Sequence, residues 1–498
     1  MNHKMIWYIM GQIFKVEAAF LSVSFVVAVI VDAIDGNFGF LTVVAFLVPI
    51  LILLGSGIPL TMKRPAKRNF YAKEGFFVVA MAWVLMSLVG CIPFMICGKM
   101  SFIDAFFETA SGFTTTGASV ITDLSLMSRG LLFWRSFTHW LGGMGILVFV
   151  LAIFPEQETQ SIFLMKAESP GPKVGKIVSK LRITARILYG IYIALTLLEF
   201  IMLLCGGMTV YDSAVYSFAT AGTGGFAVTD VIGNGGFTTY ALQSNAYFEW
   251  VIGVFMFIFG VNFNVYFLII VKRVRDAFRS EELWVYSGIV VSSVAFIAIN
   301  IAAQAEKMYS TFGETLRHSF FTVTSITSST GFATVDFDAW PTFSKAVLVL
   351  LMFIGASAGS TGGGLKVARV MLLIKNGYAE LKRCISPNQV VTVKFEGKPI
   401  EKEVLHTTNG YLAVFISVLA ASTLVVALDS PALDFGSSFT GVLACLNNIG
   451  PALGKLGPAS NFSQLGVLSK VVLSFDMIAG RLELFPVLLL FSPKTYRN

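Results

Sequence analysis

Four short clusters of Gly, Thr, Ser and Asn recur along the chain, with central glycines just over one hundred residues apart. We call them loops 1 to 4: residues 114–119, 222–227, 328–333 and 447–452. Backbone carbonyls from several loops can replace the water shell of a dehydrated cation, and glycine adopts the backbone conformations that this requires. The candidate cation ligands are Thr115, Thr116, Gly117, Thr223, Gly224, Gly225, Thr330, Gly331, Asn448, Ile449 and Gly450.

Each loop follows an apolar segment that is too short to cross a membrane. These segments cover residues 101–113, 210–221, 313–327 and 435–446. Non-helical backbone at membrane depth is tolerated only where it is buried in protein or lines a water-filled cavity. A single glycine cluster can simply be a close helix contact, but four phased clusters behind half-length helices favour re-entrant loops around a pore.

The composition excludes a water-soluble enzyme. Only 13% of the 498 residues are charged and 55% are hydrophobic, whereas soluble proteins have about 25% charged residues. The net charge of +7 comes from short basic runs between apolar stretches, which argues against nucleic-acid binding and places the chain in membrane lipid.

Ten stretches are long enough to be spans of ~20 apolar residues. They cover residues 10–31, 39–60, 75–97, 130–154, 183–205, 245–271, 285–305, 345–374, 406–428 and 464–492. We predict an all-α polytopic membrane protein with four pseudo-repeated span–pore-helix–span units around one pore. Two extra spans occupy residues 1–62, and the units cover 75–154, 183–271, 285–374 and 404–492.

Basic residues are concentrated on every second loop between spans, and the opposite loops are mostly acidic or neutral. By the positive-inside rule, both termini lie in the cytoplasm. The five cysteines have no metal-ligand spacing, so we expect inert thiols.

The eighth span is interrupted by the small residues 355–364, which we call the gate loop. Each Gly costs ~1 kcal/mol in a helix relative to Ala, so an unwound segment containing Gly355, Gly359, Gly362, Gly363 and Gly364 is expected. A passive hinge is the alternative. Arg481 lies midway along the last span, where a charge normally faces an interior cavity.

The four-unit pattern resembles the superfamily of K⁺ transporters that includes the Trk, Ktr and plant HKT proteins. TTTGAS, GTGGFA, SSTGFAT and NNIGPALG are similar to its four filter signatures, and the two leading spans are as in its TrkH-type members. The resemblance implies K⁺ uptake through a carbonyl filter, with Gly117 favouring K⁺ over Na⁺. Asn447, Asn448 and Pro451 depart from the pattern, so a less regular fourth side is expected and Na⁺ stays open.

The resemblance also implies that the gate loop is mobile and that Arg481 projects under the filter towards it. It further implies a homodimer in the cytoplasmic (inner) membrane and a cytosolic nucleotide-binding regulatory subunit of the TrkA type. A Na⁺- or H⁺-coupled secondary symporter is the alternative function, since broken helices near the midplane fit that class too. An intramembrane enzyme would need convergent Asp, Glu or His residues, and no such set stands out.

Overall fold

The computed structural model describes residues 2–36, 39–63, 65, 72–145, 181–228, 246–304, 308–389 and 391–493. Six of its helices are long and apolar enough to cross a membrane, or seven if one bent pair counts as a span. The predicted all-α membrane class is confirmed. Residues 146–154 of the fourth predicted span lie outside the described residues.

Two long helices precede the first unit, and the first unit begins with a span and a half-helix. The helices up to residue 143 are α1 (His3–Ile34), α2 (Phe40–Met62), α3 (Ala72–Gly90), α4 (Ile92–Ile96), α5 (Phe102–Phe113) and α6 (Arg129–Gly143). α1 and α2 pack closely at Gly11 and Gly57, where a larger side chain would meet the opposite backbone. Small residues at such contacts allow the backbones of membrane helices to approach each other closely.

The second and third units repeat this order of span, half-helix and span. Their helices are α7 (Leu181–Cys205), α8 (Val210–Gly222), α9 (Ala246–Gly260), α10 (Phe263–Ile270), α11 (Val274–Ala277), α12 (Glu281–Ala302), α13 (Phe312–Thr327), α14 (Thr342–Ile354) and α15 (Val367–Ile385). The fourth unit contains α16 (Lys402–Asp429), α17 (Phe435–Leu446), α18 (Val467–Arg481) and α19 (Phe485–Leu490). Short 3₁₀ turns cover Leu124–Leu126, Phe337–Ala339 and Gly454–Leu456.

A two-stranded antiparallel hairpin connects the third and fourth units. Strand β1 (Lys394–Phe395) pairs with β2 (Lys398–Pro399). The turn residues Glu396 and Gly397 both have positive φ, as a two-residue type I′ turn requires.

The half-helices α5, α8, α13 and α17 form the centre of the molecule. Three of them begin with a Ser or Thr whose hydroxyl accepts a hydrogen bond from the backbone N–H of an acidic residue three positions further on. The pairs are Ser101–Asp104, Thr209–Asp212 and Thr311–Glu314, at 3.1 to 3.2 Å. Such caps define where a helix starts, and the final turns of all four helices are buried.

The second span of each unit stops after about four turns, which is a correction to the predicted continuous spans 245–271 and 464–492. α9 and α10 meet at an angle of 89°. A new helix begins at this bend, since the Asn262 side chain caps α10 by accepting a hydrogen bond from the backbone N–H of Asn264. α18 and α19 are separated by residues 482–484, of which Glu483 and Leu484 have positive φ. Pro486 at the start of α19 suits a new helix rather than a continued one.

Candidate cation site in the membrane

Each half-helix ends in the same backbone arrangement. The second residue of loops 1 to 4 has a left-handed backbone: Thr115, Thr223, Ser329 and Asn448, with φ between 55° and 59°. Its N–H bonds to the carbonyl three residues back, and the next N–H bonds to the carbonyl five residues back, at 2.8 to 3.2 Å in all four loops. This pair of bonds is the Schellman motif, which usually places Gly or Asn at the left-handed position.

The fourth loop is therefore as regular as the others, contrary to the expected irregular fourth side. Asn448 is well suited to the left-handed conformation, whereas a β-branched Thr at this position is strained. Asn447 donates from Nδ2 to the carbonyl of Met352 at 2.8 Å. Asn448 donates from Nδ2 to the Thr116 hydroxyl and to the Met477 carbonyl, both at 2.9 Å. The departures in sequence thus supply side-chain links between units.

The four glycines bring the loops into a closed ring. A Cβ atom on Gly117 would overlap the carbonyl oxygen of Gly224, and a Cβ on Gly225 would overlap that of Thr330. In the same way Gly331 faces the carbonyl of Ile449, and a Cβ on Gly450 would lie 2.7 Å from the carbonyl oxygen of Thr116. Each glycine thus packs against the carbonyl that precedes the glycine of the next loop. All four glycines have positive φ, so a side chain at these positions is disfavoured both by the close contact and by the backbone conformation.

The carbonyl oxygens of the ring are free of hydrogen-bond donors within the part of the chain that the structure describes. Among the residues that the structure describes, none donates a hydrogen bond to the carbonyls of 115–117, 223–225, 329–331 or 448–450. A cavity touches Gly117, Gly225, Gly331 and Gly450, and the segment 456–462 lines its other side. Buried carbonyls normally have a partner, so this ring is a set of oxygens available to a cation or water.

The hydroxyls nearest the ring brace the loops. The Thr116 hydroxyl lies 2.8 Å from that of Thr114, and the Thr330 hydroxyl lies 2.7 Å from that of Ser328. The Thr223 hydroxyl donates to the carbonyl of Gly222 at 2.6 Å. These hydroxyls therefore already have protein partners, whereas the buried Thr115 hydroxyl has none among the described residues.

The gate loop lies against the inner side of this ring. It is non-helical from the end of α14 to the start of α15, and Gly355, Gly359 and Gly364 have positive φ. The backbone N–H of Gly363 donates to the Ser329 hydroxyl at 2.5 Å. A Cβ on Gly362 would lie 2.6 Å from the carbonyl oxygen of Ser328, so the contact with loop 3 depends on glycine.

Arg481 contacts two units besides its own. Its guanidinium donates to the Thr361 carbonyl in the gate loop at 2.7 Å. It also donates to the carbonyls of Gly142 and Gly143 at the end of α6, at 2.5 and 2.6 Å. The structure thus brings Arg481 and the gate loop together beneath the ring.

Several residues of the site escaped the sequence reasoning. Ser329 holds the same position as Thr115, Thr223 and Asn448, and an alignment of the four loops on their glycines would have found it. Lys366 donates from Nζ to the gate-loop carbonyl of Gly362. Arg369 and Glu483 form a buried ion pair beside the gate loop, which no short motif indicates because the two residues are far apart in sequence.

The ring, the half-helices and the broken spans define a class of polytopic membrane protein in which four loops of one chain surround a single axis. A family model described as "TrkH: Cation transport protein" matches residues 43–496. The chain belongs to this family of cation transport proteins, and it is not an enzyme.

Similar proteins carry related descriptions. The Trk system potassium uptake protein TrkH of Escherichia coli K12 is 34% identical over 439 residues, which is 87% of this chain and 88% of the relative. The TrkH protein of Halomonas elongata is 32% identical over 459 residues, with 91% and 92% covered. The crystal structure of the potassium transporter TrkH from Vibrio parahaemolyticus matches with a TM-score of 0.85 at 29% identity, covering 100% of both chains.

Proposed function

We propose that the protein takes up K⁺ across the cytoplasmic membrane through a channel-like pore whose selectivity filter is the ring of loops 1 to 4. The observation that carries the proposal is the closed ring of carbonyl oxygens without protein donors among the described residues. The similar proteins described as potassium uptake proteins support K⁺ as the cargo.

The proposed ligands are the backbone carbonyls of residues 115–117, 223–225, 329–331 and 448–450. A cation entering the ring exchanges its hydration shell for these oxygens. The four half-helices end at the ring, and the partial negative charge at a helix C-terminus favours cations over anions. Gly117 in loop 1 favours K⁺ over Na⁺ by resemblance to the family.

The gate loop and Arg481 would control passage below the filter. Arg481 and Lys366 bring positive charge next to the inner end of the ring, and a positive charge in a low-dielectric site repels a cation strongly. Displacement of the gate loop would break the Arg481–Thr361 contact and open the path. The breaks at the end of α14, at the start of α15 and at Asn262 are where the backbone would bend.

A Na⁺- or H⁺-coupled symporter is less favoured. Such transporters usually consist of two inverted halves with broken helices at one midplane site. Here four loops of the same sense share one backbone motif, which suits a pore.

We further propose a homodimer with both termini in the cytoplasm and a cytosolic nucleotide-binding regulatory subunit. The basic loops on one side support the orientation, and the resemblance to the family supports the partners.

Complementation tests the proposed function. Cells that lack their own K⁺ uptake should grow at low K⁺ when they express the protein, and growth should depend on the filter variants described below. Absence of growth, with the protein detected in the membrane, would contradict the proposal that the protein takes up K⁺.

A further inference from the structure

Unit 1 contains a buried ion pair that the other units lack at the equivalent positions. Arg135 of α6 and Glu108 of α5 are joined by a 2.7 Å contact between Nε and Oε1, and their side chains are 1% and 0% exposed. At the corresponding position of the other second spans, counted from the helix start, stand the apolar residues Ile252, Leu348 and Leu473. Nine residues before the other ring glycines stand Tyr216, Thr322 and Gly441.

Glu108 forms hydrogen bonds with the last residue of loop 1 and the residue that follows it. Its carboxylate accepts from the Ser119 hydroxyl at 2.9 and 3.0 Å and from the Val120 N–H at 3.0 Å. These residues follow the ring glycine Gly117 by two and three positions. The carboxylate therefore fixes the outer end of loop 1 against α5.

Arg135 contacts the last two residues of loop 2. Its Nη1 donates to the Ala227 carbonyl at 3.0 Å, and its guanidinium carbon lies 3.4 Å from the centre of the Phe226 ring. Arg–aromatic stacking of this kind is stronger when it is shielded from water. Because the same guanidinium holds Glu108, one ion pair ties loops 1 and 2 together.

We propose that Arg135 and Glu108 are a positioning pair that sets the spacing between the carbonyls of loops 1 and 2, and so contributes to the preference for K⁺ over Na⁺. The inference rests on the proposed filter function. Na⁺ is smaller than K⁺, so a ring whose sides can approach each other accommodates Na⁺ better. A buried ion pair with further hydrogen bonds on both partners resists such movement, because displacement would leave a buried charge unpaired.

The test uses the ratio of K⁺ to Na⁺ flux in proteoliposomes that contain the full chain. Arg135→Lys keeps the charge, but a lysine ammonium does not reproduce the planar fork that reaches Glu108, Ala227 and Phe226 together. We expect K⁺ flux to persist while the K⁺/Na⁺ ratio falls about tenfold, equivalent to ~1.4 kcal/mol. Ser119→Ala removes one link between the pair and loop 1, and we expect a smaller fall in the same ratio.

Asp104→Asn is the matched control. Asp104 lies on the same half-helix as Glu108 and forms an ion pair of the same length with Lys470, 2.7 Å, but it lies at the opposite end from the ring. Its loss should leave the K⁺/Na⁺ ratio unchanged. A fall in the ratio that is as large in this control would indicate a general structural effect and overturn the proposal.

The outcomes separate the two levels of the account. A wild-type protein without K⁺ flux, or without preference for K⁺, would reject the proposed function itself. A K⁺-selective wild type whose ratio is unchanged in both Arg135→Lys and Ser119→Ala would reject only the positioning role. If Arg135→Lys does not accumulate in the membrane, the ratio measured for Ser119→Ala decides, since a lone hydroxyl is replaced there without disturbing the ion pair.

Discussion

The ring formed by loops 1 to 4 and the gate loop are both glycine-rich, non-helical backbone at membrane depth, but their carbonyl oxygens differ. In the ring, no described residue donates to the carbonyls next to the glycines. In the gate loop, the carbonyls of Thr361 and Gly362 accept from Arg481 and Lys366, and that of Gly359 accepts from the N–H of Phe263 at 3.1 Å.

The difference indicates how one composition can serve two roles. Oxygens without protein donors are available to a permeating ion, whereas oxygens that already face protein cations are not. The glycines differ as well. Those of the ring allow four loops to approach one another, and Gly362 and Gly363 allow the gate loop to approach loops 3 and 4.

Replacing a ring glycine should have the largest effect. In Gly331→Ala the new Cβ overlaps the Ile449 carbonyl, and the φ of +83° is strained for any L-residue. Strain of up to about 3 kcal/mol corresponds to roughly 100-fold, so we expect K⁺ uptake to fall by about that factor. Uptake of ⁴²K⁺ or Rb⁺ into cells checks this.

Gly288→Ala is the control for that variant. Gly288 lies in the interior of α12, where an added methyl group would have no neighbouring atom within 4 Å, and Ala is the better helix former. Its uptake should equal that of the wild type. Equal losses in both variants would mean that glycine in the ring has no special role.

Removing the positive charge of Arg481 should have the next largest effect, and it should raise K⁺ flux rather than lower it. Arg481→Ala deletes the contacts with Thr361, Gly142 and Gly143 and removes a positive charge that repels a permeating cation strongly in a low-dielectric site. We expect unregulated K⁺ flux in proteoliposomes to rise about tenfold or more. The flux of Arg481→Lys should lie between those of the wild type and Arg481→Ala, because an ammonium cannot make all three contacts. Flux equal to or below that of the wild type would favour a passive hinge.

Removing the hydrogen bond between loop 3 and the gate loop should have the smallest effect on K⁺ flux. Ser329→Ala removes the hydroxyl that accepts from the Gly363 N–H, and one neutral hydrogen bond contributes about 1 kcal/mol. We expect a rise in flux of about fivefold, with no change in the K⁺/Na⁺ ratio.

Thr223→Ala provides the comparison for this variant, since among the described residues its hydroxyl donates only to Gly222, within loop 2. It should leave basal flux closer to that of the wild type. A larger rise in Thr223→Ala than in Ser329→Ala would contradict the assigned contact.

Much of the architecture could be predicted because it depends on local patterns. The half-helix predicted at 435–446 is observed at Phe435–Leu446, and that at 101–113 is observed at Phe102–Phe113. Apolar length and the following glycine determine these segments. The break of the eighth span was likewise evident from ten consecutive small residues.

The remaining features depend on distant contacts. The break at Asn262 is marked in the sequence only by Asn262 and Asn264 within an apolar run, and the capping role of Asn262 appears only when the helix direction is known. In the sequence, Glu108 is a charged residue within the half-length segment 101–113 and Arg135 is one near the start of the span 130–154. Only the fold brings them together behind loops 1 and 2. The left-handed position of Ser329 follows from a helix terminus that its residue type does not indicate.

The ratio of K⁺ to Na⁺ flux through Gly117→Ser in proteoliposomes tests whether the ring of loops 1 to 4 is the selectivity filter. A serine Cβ overlaps the carbonyl of Gly224 and disturbs the junction between loops 1 and 2. If the ring is the filter, the wild type is K⁺-selective, and the variant still conducts but its flux ratio shifts towards Na⁺. An unchanged ratio in a conducting Gly117→Ser variant would contradict the proposal that this ring is the selectivity filter.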